Sequence, residues 1–272
     1  MHASRLGAIT LGTAMFTVCS FVAAGSASAA GTHYVALGDS YSSGTGAGAY
    51  DPGAGTCYRS ANAYPKLWAA AKSPESFKFA ACSGATTASV ASGQLGSLSS
   101  TTTFVTMTVG GNDAGFAKVM ETCVLQSTAN CEAAVKNAES YMENMLPGRL
   151  DSLYDSIRSK APSARVVVLG YPRLYLQNSA GCVGLNQTKR TVLNRAADTL
   201  NTSINKAVAR AGFVFSDVRD EFSGHELCSG DGWLNSVTYP ISDSYHPTAR
   251  GHANGYLPAV NSAARRSLAA QR

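Results

Sequence analysis

Beyond its first 29 residues the chain has no apolar run approaching the ~20 residues a membrane-spanning helix requires, so nothing after that point reads as a span. It has no dense basic cluster, and its balance of 22 Lys+Arg against 17 Asp+Glu is mild. A nucleic-acid-binding role is excluded on that ground. There is no C-x-x-C, and "HELC" at 225–228 has no second cysteine pair, so a zinc site lacks its usual spacing. No internal repeat and no linker divides the chain. Finally, no serine stands in G-x-S-x-G, the frame of the common nucleophile elbow.

What is present begins with a leader. "MHASR" gives a short basic start, Leu6 to Ala24 is apolar and small, and Ala27-Ser28-Ala29 fits the A-x-A cleavage pattern of a secretory signal peptide. Thr, Ser and Gly within the run speak against a retained anchor, and Val18 is too large to precede a lipid-modified Cys19. Removal of residues 1–29 leaves 30–272 as one domain, long enough to bury a full core. The leader holds one of the basic residues and no acid, so the net charge passes from +5 to +4. The protein is expected outside the cell. There an even set of cysteines (Cys57, Cys82, Cys123, Cys131, Cys182 and Cys228) reads as three disulfides. Sequence alone leaves every pairing open; neighbours in chain order, 57–82, 123–131 and 182–228, are the preferred set.

Extended apolar runs occur at 34–37, 77–80, 104–109, 165–169 and 213–218. The fourth, within "ARVVVLG", is β-branched and continuous, as in strands buried on both faces. Helical spacing lies between them, most clearly from 186 to 211, where Leu193, Ala197, Leu200, Ile204 and Val208 share one face and Gly212 stops the helix. Other helices are expected at 64–72, 114–125, 133–145, 150–160 and 251–269, with "LPG" separating the third and fourth of these. Strands alternating with helices predict a three-layer α/β/α sandwich on a five-stranded parallel sheet. Ligands in such sheets sit at the carboxyl ends of the strands. Those ends read "GDSYSSG" (38–44), "CSGATT" (82–87), "GGNDAG" (110–115), "GYPRLY" (170–175) and "RDEF" (219–222). The Gly-rich stretch 44–55 lacks the G-K-[ST] ending of a phosphate loop and is read as a loop beside the site.

These ends carry the parts of acyl transfer. Ser40 follows a turn glycine, Gly84 can aim a backbone N–H, Asn112 follows two glycines, and Asp243 lies three residues before His246. A serine hydroxyl needs a base to take its proton, and imidazole can accept and return one near neutral pH. The oxyanion needs fixed donors, which the N–H groups of Ser40 and Gly84 and the Asn112 amide would supply. Singly, each residue has a plainer reading: Ser40 as a helix N-cap, Asn112 and Asp113 as turn residues, Gly84 as a conformational glycine. His33, His225 and His252 read as surface or structural. The joint occurrence in order at successive strand ends is what points to chemistry.

G-D-S, a lone glycine in the next block, G-x-N-D and D-x-x-H-P resemble the GDSL, or SGNH, hydrolase family across essentially all of the chain after the leader. With its leader and six cysteines, "ALGDSYSSG" is similar to the secreted actinobacterial lipases, esterases and phospholipases of that family. The resemblance implies a flavodoxin-like α/β fold, Ser40 as nucleophile and His246 as base. It implies an oxyanion hole from Ser40, Gly84 and Asn112, and no metal or organic cofactor. Asp243 falls where the family keeps its third triad member; some relatives use a backbone carbonyl, here that of Ser244. The implied activity is hydrolysis of lipid esters, acylglycerols first, with phospholipase A and carbohydrate O-acetyl esterase as alternatives, and a non-enzymatic binding protein as the reading from another class. The implied partners are the ester substrate and transient contact with a lipid interface, for a monomer that binds no nucleic acid.

Overall fold

A computed structural model of the chain describes residues 1, 2, 31–179, 182 and 184–269. The leader expected at 1–29, and with it the boundary at 30, lies outside the described residues apart from Met1 and His2. The first half holds strand β1 (His33–Ala36), helices α1 (Ser40–Ser43) and α2 (Tyr64–Lys72), strand β2 (Ser76–Phe79), helix α3 (Thr87–Gly93) and strand β3 (Phe104–Met107). Helices α4 (Phe116–Leu125), α5 (Thr128–Asn144) and α6 (Leu146–Lys160) follow. Strand β4 (Arg165–Leu169), helix α7 (Gln187–Arg210), strand β5 (Val214–Ser216) and helix α8 (Leu257–Ala269) complete the order.

All four strand pairings are parallel and the order is β2-β1-β3-β4-β5. This is the flavodoxin-like arrangement, with its switch point between β1 and β3. Helices α2 and α8 pack together as one layer; α3 against α6, α6 against α7, α7 against α5 and α5 against α4 build the other. The interior strands are buried because both faces are covered: Val166, Val167, Val168 and Leu169 of β4 are all in the core. Helix α7 presents Leu193, Ala196, Leu200, Ile204, Ala207 and Val208 inward. Asn186 caps its start by accepting the Lys189 N–H at 3.0 Å.

The helices differ from sequence expectation mainly at their starts. Helix α5 begins at Thr128, not 133, because Ser127 caps a polar first turn through the Asn130 N–H. Helix α6 begins at Leu146, not 150: Pro147 sits in the first turn, where a missing N–H removes no helical hydrogen bond. Helix α4 begins at Phe116, not 114, because Gly115 is left-handed at φ +75°. The last helix is preceded by a π-type turn over Gly251–Tyr256. The short α1 and α3 were not expected at all; both follow strand ends.

Three disulfides pair the cysteines in chain order, Cys57–Cys82, Cys123–Cys131 and Cys182–Cys228. The first joins the loop after α1 to the end of β2. There Ser83 N–H also donates to Cys57 O at 3.1 Å.

Gly38 follows β1 at φ +119°, and a Cβ there would lie 2.5 Å from Thr108 O just after β3. Its peptide is clamped by Gln94, which accepts from Gly38 N–H at 2.7 Å and donates to Gly38 O at 2.8 Å. Gly38→Ala is therefore expected to cost about 2 kcal/mol or more in urea unfolding, through strain and clash together. Gly96→Ala, at an ordinary φ with open space around it, should stay within about 0.5 kcal/mol.

Candidate active site

The turn after β1 converts a strand into the first turn of α1. Asp39, not Ser40, is the N-cap: it is extended, and its Oδ1 accepts the Tyr41 N–H at 3.0 Å. Ser40 is then the first helical residue, where helix geometry leaves its N–H without an intrahelical acceptor. Its hydroxyl lies 2.8 Å from His246 Nε2, although the two residues are 206 apart in sequence. Tyr41 packs beside the imidazole, ring centroids 5.3 Å apart, and anchors its own hydroxyl on Tyr245 O at 2.6 Å.

His246 reaches Ser40 from a two-stranded excursion of the backbone. Asn235 N–H donates to His246 O at 2.9 Å, Tyr245 N–H to Asn235 O at 2.8 Å and Thr248 N–H to Trp233 O at 2.8 Å. The residue is half-buried, with Nδ1 out of contact with solvent, and desolvation lowers its pKa from 6.5 to about 4, against smaller opposing contributions from the Ser244 backbone, the Asp243 charge and the Ser242 backbone. Nδ1 makes no hydrogen bond of ordinary geometry, and the backbones of Ser244 and Ser242 stabilise the charged ring against burial. Asp243, expected on residue type to orient the ring, accepts from Tyr50 Oη at 2.9 Å through Oδ1 and acts on the ring through its charge. Tyr50 Oη in turn accepts the Gly46 N–H at 2.8 Å.

The second and third strand ends meet beside Ser40. Gly84 is exposed at φ +78°, with open space where a Cβ would stand. Asn112 gives one amide hydrogen to Ala85 O at 3.0 Å, which ties it to the residue after Gly84. Asp113, one residue on, accepts from Thr87 N at 2.9 Å and Thr87 Oγ1 at 2.6 Å and so locks the loop before α3 to the loop after β3. Neither Ser40 N–H nor Gly84 N–H has an acceptor among the described residues.

A carboxylate that residue types alone did not single out lies beneath these groups. Asp39 is 1 % exposed. Besides the Tyr41 N–H it accepts from Thr108 Oγ1 at 2.6 Å and from Tyr171 Oη. Tyr171 Oη is also within 3.4 Å of the Gly111 N–H, one residue before Asn112. Burial raises Asp39 to about 6 despite those three donors, and holds Tyr171 far above the usual phenol range, so Tyr171 stays a donor. The available signal was position: "GYPRLY" is the fourth strand end. Ser42 extends the polar cluster by contacts of 2.9 Å to Tyr64 Oη and to Thr108 Oγ1.

A cleft of about 650 Å³, counted with its open mouth, runs inward from Ser40 and Asn112. Its walls are apolar, chiefly Phe116, Val119, Met142, Leu174, Leu193 and Leu200. The remaining histidines stand apart from it. His33 contacts Ser76 Oγ at 2.9 Å, His225 stacks on Trp233 at 3.7 Å, and His252 is buried, with Nδ1 accepting the Tyr64 N–H at 3.3 Å. No group of three His, Cys, Asp or Glu among the described residues could hold a metal ion.

A model of the GDSL-like lipase/acylhydrolase family matches residues 36–253. The chain belongs to that family. Lipase 1 of Streptomyces coelicolor is 56% identical over 237 residues, which cover 87% of this chain and 88% of that protein. A lipase of Streptomyces rimosus is 53% identical over 232 residues, 85% and 87% of the two chains. Among solved structures, phospholipase A1 from Streptomyces albidoflavus superposes with TM-score 0.83 at 58% identity, covering 87% of this chain and 99% of that one. The extracellular lipase of Streptomyces rimosus gives TM-score 0.84 at 53% identity, covering 85% and 99%. This GDSL-family protein is accordingly a carboxylic ester hydrolase, with a lipase-type fold intact from β1 to the C-terminal helix.

Two outcomes follow for the hydrolase. Tyr171→Phe keeps the ring but loses the hydroxyl shared by Asp39 and Gly111, so kcat on a soluble ester should fall about tenfold with KM little changed. The two buried groups act oppositely on folding. Ionising Asp39 costs stability as pH rises from 3.8 to about 6, whereas keeping His246 neutral costs stability as pH falls from 6.5 to about 4. The pH profile of kcat/KM should keep its main acid limb near pH 4, where His246 protonates. Any inflection near pH 6 should vanish in Asp39→Asn.

Proposed function

We propose that the protein is a secreted serine lipase that cleaves carboxylic esters of lipids, acylglycerols first, through an acyl-Ser40 intermediate. The observation that carries this reading is the 2.8 Å contact between Ser40 Oγ and His246 Nε2 at the mouth of an apolar cleft. With the imidazole neutral and its proton on Nδ1, the Ser40 hydroxyl donates to Nε2. As Oγ attacks the ester carbon, that proton passes to Nε2. The carbonyl oxygen becomes an oxyanion and accepts from Ser40 N–H, from Gly84 N–H and from the Asn112 amide hydrogen not held by Ala85. Collapse of the tetrahedral species breaks the bond to the alcohol oxygen, which takes the proton from Nε2. A water then repeats the sequence on the acyl-enzyme, and Ser40 is regenerated.

The imidazolium formed in each half-reaction needs a partner on Nδ1. We assign this to the Ser244 carbonyl, with Asp243 contributing through charge, since no side chain bonds Nδ1 and the Ser244 backbone acts on the ring more strongly than the Asp243 charge. Membership of the family, the apolar cleft and the lipases of Streptomyces together support a long acyl chain in that cleft. Phospholipase A activity is the second reading, favoured by the 58% identity to a phospholipase A1. Export rests on the leader composition and on the relative described as extracellular.

Ser40→Ala and His246→Ala should each lower kcat on p-nitrophenyl esters by roughly 10⁴-fold or more, without loss of near-UV dichroism. Across a series from acetate to palmitate, kcat/KM should rise with chain length until the cleft is filled; a preference confined to acetate would remove the lipase reading. Asp243→Asn should retain kcat within about tenfold, because the orienting acceptor is backbone. A loss of about 10⁴ would return Asp243 to the role of third triad member.

A further inference from the structure

The excursion that carries His246 has a second end. Its base is the ladder in which Trp233 and Asn235 pair with Thr248, His246 and Tyr245. Its tip is the run Ser236 to Ile241, in which every residue is exposed. Among the described residues only seven large hydrophobics are exposed, and three of them sit here: Val237 at 53%, Tyr239 at 96% and Ile241 at 70%. Residues 232–242 contain no charged side chain. The tip is also held in shape, since Thr238 N–H donates to Ser244 Oγ at 2.9 Å and Ser244 Oγ reaches back to Thr238 O at 3.3 Å.

We propose that Val237, Tyr239 and Ile241 form the surface by which the enzyme seats on a phospholipid bilayer. The proposal rests on the lipid-ester reading of the same site and extends it to where the substrate is met. Exposed apolar groups concentrated on one protrusion mark an interaction surface. An uncharged aromatic between two aliphatics suits the headgroup–acyl boundary, where an amphipathic ring has one apolar and one wet end. A second copy of this chain is a poor occupant: three side chains on one loop fall far short of the ~800 Å² per partner that a stable interface needs. Position favours lipid. The tip belongs to the loop that joins Asn235 to its ladder partner His246, so lipid held there lies close in the chain to the proposed catalytic imidazole. Because the tip is braced by Ser244, little ordering is lost on contact, which preserves whatever apolar burial supplies.

The test uses phosphatidylcholine vesicles and two readouts. In the Ser40→Ala protein, which leaves the vesicles intact, vesicle association should be measurable by flotation and should fall about tenfold when Val237→Ser, Tyr239→Ser and Ile241→Ser are added. In the otherwise wild-type enzyme the triple change should lower hydrolysis of vesicle phosphatidylcholine by a similar factor. The kcat/KM for soluble p-nitrophenyl butyrate should stay within about twofold. Tyr239→Ser alone, at a side chain almost wholly in solvent, should give part of the same loss without any risk to the fold. Equal flotation of parent and variant would overturn the proposal. So would a matching loss on the soluble ester in both variants, which would make the tip a support of His246. A dimer in size-exclusion chromatography that the triple change dissolves, with flotation unaltered, would assign the patch to self-association and overturn it as well. If the wild-type enzyme fails to hydrolyse phosphatidylcholine yet Ser40→Ala still floats with vesicles, the phospholipase reading falls and the docking surface stands.

Discussion

A single buried carboxylate cross-links three strand ends. Asp39 follows β1, Thr108 follows β3 and Tyr171 follows β4, and the two hydroxyls and the Tyr41 N–H all converge on the Asp39 oxygens. A carboxylate removed from water without donors would simply stay protonated. Three donors reduce that cost but do not cancel it, which is why the group remains at about 6. The consequence is geometric. Ser40 is the next residue, so its hydroxyl inherits a position fixed by the sheet rather than by a flexible loop. Asn112 inherits its position by the same route, through the Tyr171 hydroxyl and the Gly111 N–H. The parts proposed to hold an oxyanion are thus tied to one rigid object, as preorganised catalysis requires.

His246 is brought in differently. It is delivered from near the C-terminus by a paired excursion whose neighbours are Asn235, Tyr245 and the Gly46 loop, the last held through Asn235 Nδ2 to Gly46 O at 2.9 Å. Tyr50 joins that loop to Asp243. Asp243 thereby acts on the loop that flanks the histidine, and its charge reaches the ring at a distance. The division makes physical sense: the proposed oxyanion donors are pinned to the sheet, and the proposed proton carrier is pinned to a loop pair of its own.

Much of this was legible in the residues, and the pattern of what was not is informative. Five strands, the parallel sheet and the long helix α7 follow from apolar runs and 3.6-residue spacing, because burial on two faces or one leaves a direct trace in composition. Ser40, Gly84, Asn112 and His246 could be singled out as candidates because they recur in order at successive loop ends, and the structure brings Ser40 to His246 and Asn112 to the residue after Gly84. The helix starts at 128 and 146 were missed because a polar first turn and a leading proline look like loop until the cap is seen. The partner proposed for His246 Nδ1 could not be read from residue type, since every residue offers a carbonyl and only the chain path decides which one faces the ring. Asp39 and Tyr171 fall between: both are visible at strand ends, but nothing in the sequence says that the second reaches the first across 132 positions.

The cleft and the hairpin tip address one difficulty from two sides. Ester cleavage at Ser40 needs a dry, ordered polar site, whereas its proposed substrates lie in an apolar aggregate outside. Inside, the walls from α4, α5 and α7 offer an acyl chain a surface as apolar as the one it leaves, so the transfer is nearly neutral in hydrophobic free energy and depends on shape. Outside, an uncharged, braced tip offers the aggregate a contact that does not compete with the cleft, because Val237, Tyr239 and Ile241 are not among its lining residues. Moving those apolar residues onto the cleft rim itself would make the same side chains bind both the single substrate chain and the bulk lipid, and release of product would suffer. Keeping the two contacts on different residues lets affinity for the surface be tuned without altering the 2.8 Å relation between His246 and Ser40 on which the proposed turnover rests.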